Sequence, residues 1–165
     1  MTFRDPSSST DARLYRTEHY KFDWTVDFTE SVIRGSASLT VTKLHLKAGA
    51  PLILDVNGLD IQTVKVGNTL VHWKILPNPT AALGSSLEIE IPVSDNKFEV
   101  EVVYKTSPNS SALQWLEPAQ TRDGRLPFMY SQCQAIHARS MFPCQDTPSV
   151  KATFDAVVSL LDVHL

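Results

Sequence analysis

Five large side chains, Tyr20, Phe22, Trp24, Val26 and Phe28, occupy every second position, with Lys21, Asp23, Thr25 and Asp27 between them. Successive residues of an extended chain point to opposite faces, so this pattern demands a strand with one dry and one wet side. The same period returns at Leu87, Ile89, Ile91 and Val93, at Phe98, Val100, Val102 and Tyr104, and at Val150, Ala152, Phe154, Ala156 and Val158. The first two of these sets, joined by a short polar turn, read as a hairpin, with Pro92 suited to a strand end or an edge. From Val32 to Leu46 the apolar positions change phase near Thr42-Lys43, which suggests a bulge or a bend there. Leu52 to Val56 is a short buried-type run ended by the turn pair Asn57-Gly58, and further strands are expected over Ile61–Val66 and Leu70–Ile75. No stretch of convincing length carries helical periodicity. The class is all-β: a twisted sheet domain with antiparallel or mixed pairing.

With 165 residues, 42% of them hydrophobic, the chain can bury one core, as a single domain or part of a larger one. Net charge is −3 and no basic block occurs, so no nucleic-acid partner is expected. No apolar run approaches the length of a membrane span, and no membrane partner is expected. Residues 1–13 are polar, lack the apolar core of a secretory signal, and read as a flexible lead-in; a cytoplasmic location follows as the expectation. Cys133 and Cys144 are too few for a disulfide framework and are expected to be reduced structural thiols. A thiol–metal site at Cys133, His137 and Cys144 is the weaker reading, because those spacings match no standard zinc pattern.

The least regular stretch runs from Tyr130 to Phe154. At its centre two prolines bracket a cysteine and a carboxylate, Pro143-Cys144-Gln145-Asp146-Thr147-Pro148. Proline fixes its own backbone and restricts its predecessor, so such a segment is rigid without a regular ladder and suited to holding polar groups out toward a ligand. The segments Gln132-Cys133-Gln134-Ala135-Ile136-His137, Arg139, Pro143 to Lys151 and Phe154, with Thr106-Ser107-Pro108 and Ser110 to Leu116 upstream, resemble the N-terminal domain of the gluzincin-type zinc aminopeptidases. That group includes the bifunctional leukotriene epoxide hydrolase/aminopeptidases. The resemblance spans about Tyr15 to Phe154.

The resemblance implies a twisted, saddle-like β domain over residues 14–165, packed against a separate catalytic domain and incomplete at its C-terminal end. It implies a parent that removes N-terminal residues from peptides and that opens a leukotriene epoxide in some members. The zinc site itself is missing from this sequence. His19, His45, His72, His137 and His164 are the only histidines, none is followed by Glu, and no two lie four apart. The family's Gly-x-Met-Glu-Asn loop is missing too. No catalytic residue and no cofactor are therefore expected in this chain; the zinc belongs to the parent's catalytic domain. What the resemblance does imply here is a substrate-binding wall of Gln132, Cys133, Gln134 and Ala135. The Gln134 amide oxygen would accept a hydrogen bond from the peptide's free α-amine, with Gln132 and the Ala135 backbone beside it. An ammonium carries three donors and no acceptor, which suits an amide oxygen. Without the resemblance, a Gln-x-Gln pair would be an ordinary solvated pair.

The expected partners are a peptide N-terminus and the chain's own catalytic domain. Arg139 and Asp146 both read as structural, the carboxylate between two prolines being placed to cap backbone amides or to pair with an Arg; His137 and Trp115 read as packing residues, and Ser110-Ser111 as lacking a partner for nucleophilic catalysis. The alternative reading is a stand-alone β module that acts only by binding proteins or peptides. A sheet interrupted early would expose an unpaired edge, so association or reduced stability is expected of the isolated chain.

Overall fold

The computed structural model describes residues 5–45, 49–92 and 95–161. The first four residues of the lead-in, the Leu46 position, the start of the loop after it, Val93, Ser94 and the end of the chain with His164 lie outside that set.

The alternating run becomes β1 (Tyr15–Asp27), and β2 (Val32–Lys43) folds back antiparallel against it. They belong to a six-stranded sheet with β4 (Asp60–Val66), β5 (Thr69–Leu70), β8 (Lys97–Lys105) and β11 (Thr153–Leu160), in the order β11-β1-β2-β8-β4-β5. Only the β1–β11 pair is parallel, so the sheet is mixed. A second sheet, antiparallel, holds β3 (Leu52–Val56), β7 (Ser85–Ile89) and β6 (Trp73–Pro77) in the order β3-β7-β6. A two-stranded ribbon pairs β9 (Leu113–Leu116) with β10 (Phe128–Ser131). Tyr20, Phe22, Trp24 and Val26 share one buried cluster with Leu39, Val100 and Val102 of the large sheet and with Leu52, Leu54, Leu87 and Ile89 of the small one. β1, β2 and β8 of the large sheet and β3 and β7 of the small one bury the apolar side of their alternation, as the all-β reading requires, whereas β11 is exposed along its whole length. Among the described residues no helix is long and apolar enough to cross a membrane.

Four expectations are corrected. Of the bulge or bend expected near Thr42-Lys43, where β2 ends, the bulge is elsewhere: it lies in β1, between Thr17 and His19. It shifts the buried phase from Tyr15 and Thr17 to Tyr20 and Phe22; Leu44 has left the strand and is exposed, so its phase carries no constraint. The expected β7–β8 hairpin does not form. β7 sits between β3 and β6, while β8 inserts between β2 and β4 in the other sheet. The expected strand over Leu70–Ile75 splits at Val71-His72 into β5 and β6, which belong to different sheets. Residues 5–13, expected to be a flexible lead-in, are tied down: Ser8 Oγ and Ser9 N donate to Asp55, and Thr10 Oγ1 donates to the Ile53 carbonyl.

Candidate functional site

The irregular stretch is bolted to the core at its centre. Phe142 packs on Tyr20, Phe22 and Trp24 of β1, with ring centroids 5.6, 4.9 and 6.2 Å apart. Cys144 and Asp55 exchange backbone hydrogen bonds, so the proline-bracketed segment forms a one-residue bridge to β3. Gln145 is buried and uses its whole amide. Its oxygen accepts from Thr17 N at 2.8 Å, and its nitrogen donates to Thr10 Oγ1 and to the Tyr15 carbonyl. That oxygen serves the backbone at the β1 bulge, where the regular ladder is interrupted.

Arg139 and Asp146, both read as structural, pair with each other, Nε to Oδ2 at 2.9 Å, and the pair is part of a larger buried cluster. Arg139 also donates to the Leu83 carbonyl, and Asp55, wholly buried, lies 3.9 Å from the guanidinium. Asp55 accepts from Ser8, Ser9 and Asp146 N. A buried carboxylate persists only when such partners satisfy it. Its signal in the sequence is a carboxylate inside the apolar run Leu52 to Val56; its partners, 46 to 91 residues away, have none.

A brace of hydroxyls holds the other end. Ser140 Oγ donates to the His137 carbonyl, and Ala112 N donates to Ser140 Oγ at 3.0 Å. Ser111, read as lacking a partner for nucleophilic catalysis, has its Oγ 2.8 Å from His137 Nδ1. It also lies 3.2 Å from Ser140 Oγ, which makes it part of this brace. Trp115 packs edge-on against Phe28 at 5.5 Å, consistent with an anchor.

Between these supports the segment carrying the four wall residues crosses the surface. Gln132 N donates to the Ala112 carbonyl, and Gln132 Oε1 accepts from Gln134 N at 2.9 Å. The Gln134–Ala135 peptide is cis. Gln134 and Ala135 are exposed on the rim of a groove of about 820 Å³ whose other walls include Tyr20, Phe22, Phe142 and Phe154. No described residue engages the Gln134 side-chain amide. Gln132 and Cys133 do not line this groove: Gln132 supports the Gln134 backbone, and Cys133 is half-buried, its carbonyl accepting from His137 N.

The charges around the groove follow from burial and hydrogen bonding. Asp5 lines it, and hydrogen bonds from the Ser7 hydroxyl and backbone hold its carboxyl below the usual range. Burial, with the Asp146 charge second, pushes the Cys133 thiol up. The same two causes push Cys144 up further. Protonated thiols are poor nucleophiles and poor metal ligands. Among the described residues no three His, Cys, Asp or Glu side chains converge so as to hold a metal ion. His19 is occupied with Thr153 and Asp155 and His137 with Ser111, so this donor set does not fit a zinc site.

Comparison with known proteins supplies the context. Residues 16–161 match the family model of the peptidase M1 N-terminal domain. The chain is 41% identical over 158 residues to leucine aminopeptidase 2 of Chaetomium globosum, covering 94% of this chain and 26% of that protein. It is 40% identical over 156 residues to a leukotriene A-4 hydrolase homolog of Botryotinia fuckeliana, covering 92% of this chain and 24% of the relative. Among solved structures it superposes on leukotriene A4 hydrolase from Saccharomyces cerevisiae with a TM-score of 0.89 and 35% identity, over 95% of this chain and 25% of that one. The chain thus spans about a quarter of the length of these relatives.

Proposed function

The chain belongs to the peptidase M1 N-terminal domain family, and from that premise we propose that it is the substrate-facing wall of a cytoplasmic zinc aminopeptidase. In this reading Gln134 binds the free α-amine of a peptide. The observation that carries the proposal is the state of Gln134: an unengaged side-chain amide on a groove rim, with its backbone N–H held by Gln132 Oε1. An amide oxygen so placed accepts one ammonium hydrogen and adds no second charge beside the carboxylate that a catalytic domain would supply. Restricting attack to the first peptide bond follows, because only a chain's first residue carries an α-ammonium. The zinc and the water it activates would lie in that catalytic domain, and no step here is assigned to residues of this chain beyond binding and orientation. A reduced compartment suits the two free thiols.

The test is Gln134→Leu in a chain that carries the catalytic domain. Loss of a hydrogen bond to a charged group costs about 1.5–3 kcal/mol. KM for a short peptide should therefore rise roughly tenfold or more, while a substrate with an acetylated N-terminus stays unreactive in both forms. Unchanged kinetics would sink the assignment. The isolated 165-residue chain should show no peptidase activity at any zinc concentration.

A further inference from the structure

Gln132 to His137 form a short loop that carries Gln134 near its middle, and both feet of the loop stand on two adjacent residues. At one foot Gln132 N donates to the Ala112 carbonyl at 2.8 Å. At the other the His137 ring meets Ser111, Nδ1 to Oγ at 2.8 Å. Within the loop His137 N donates to the Cys133 carbonyl, which closes one turn around Gln134, Ala135 and Ile136. The footing itself is fixed: Ala112 is fully buried, its N–H donates to Ser140 Oγ, and Ser110 Oγ donates to the Ser140 carbonyl. The first foot is backbone on backbone and accepts any side chain. The second exists only because position 137 carries a ring nitrogen and position 111 a hydroxyl.

The geometry points to His137 and Ser111 as positioning residues for amine binding: their bond sets where the Gln134 amide stands. The role rests on Gln134 being the amine contact. Gln134 is exposed and no described residue engages its side-chain amide, so the backbone beneath it decides where the amide oxygen lies. A hydrogen bond weakens steeply as its angle falls toward about 120°, and a binding group left about 1 Å too loose loses much of its effect. Without the His137–Ser111 bond the loop keeps one foot and its inner turn, and the turn is free to tilt about that foot. An oxygen that must be ordered at each encounter binds more weakly than one already in place. Neither residue needs to touch the peptide; both act through Gln134.

The test uses a chain that carries the catalytic domain and short peptides with a free α-amine. H137A and S111A should each raise KM by about three- to tenfold, the size of one lost neutral hydrogen bond, with kcat kept. An asparagine side chain reaches the place of the imidazole Nδ1, so H137N should recover most of the lost affinity. In a Q134L background neither H137A nor S111A should add a further rise, because the group they position is gone. If Q134L raises KM while H137A and S111A do not, the positioning role is overturned and the amine contact stands. The role is equally overturned by an H137N no better than H137A, by an effect that adds in full to that of Q134L, or by a loss that falls on kcat alone; each makes the bond an ordinary support of the fold. An unmoved KM in Q134L itself removes the amine contact, and the positioning role with it.

Discussion

At the scale of single residues, the outcome turns on what lies under the Gln134 rim. Asp55, Arg139 and Asp146 place two carboxylates around one cation, all largely removed from water. Arg139→Met would leave the carboxylates uncompensated, which for a buried pair costs about 3–5 kcal/mol. Urea titration should show the midpoint falling by a large fraction of its wild-type value; a shift of only a few tenths of a kcal/mol would mean water reaches the cluster. A structural role for Arg139 and Asp146 was legible in the sequence because the carboxylate stands between two prolines; that the two pair with each other was not. Gln134 was singled out only through family resemblance. Ser111 with His137, and Asp55 with Ser8, were not legible, because nothing local encodes a contact across 26 or 47 residues.

For the elements, local period and long-range pairing part company. β1, β3 and β4 were readable because alternation or an apolar run is a local property. The bulge and the partners of β7 and β8 were not, because register is decided by strands that lie far apart in sequence. Gly35 illustrates how closely β1 and β2 approach. It pairs with Trp24, and a Cβ there would stand 1.9 Å from the Asp23 carbonyl oxygen, a backbone atom with no room to yield. Its φ of +150° adds to the restriction. Gly35→Ala should therefore destabilise by roughly 2–3 kcal/mol, at the upper end of ordinary point substitutions. Thermal melting is a sufficient check, and a neutral result would require the β1–β2 pair to shift without cost.

The molecule as a whole carries a pH dependence on its alkaline side. Burial pushes the Tyr20 and Tyr104 phenols well above their ordinary value, and the Cys144 thiol above its own. The unfolded chain gives up these protons first, at about pH 8.5 for the thiol and about pH 10 for the phenols. Stability from these groups is thus complete below those values and is lost as pH rises above them toward the folded-state values. Unfolding free energies measured from pH 8 to 11 should fall steadily, with a shallower fall for Tyr104→Phe; a flat profile would contradict the burial of these groups. The β1–β11 ladder has a different consequence, in the order of synthesis. His19 pairs with Thr153, 134 residues later. At ribosomal rates of about 5–20 residues per second, β1 emerges on the order of ten seconds before the strand that covers its flank. For that interval one edge of the longest strand among the described residues is open to wrong pairing. Productive folding of this domain is therefore expected to depend on chaperone cover during translation, and to be slow when refolding starts from the complete chain.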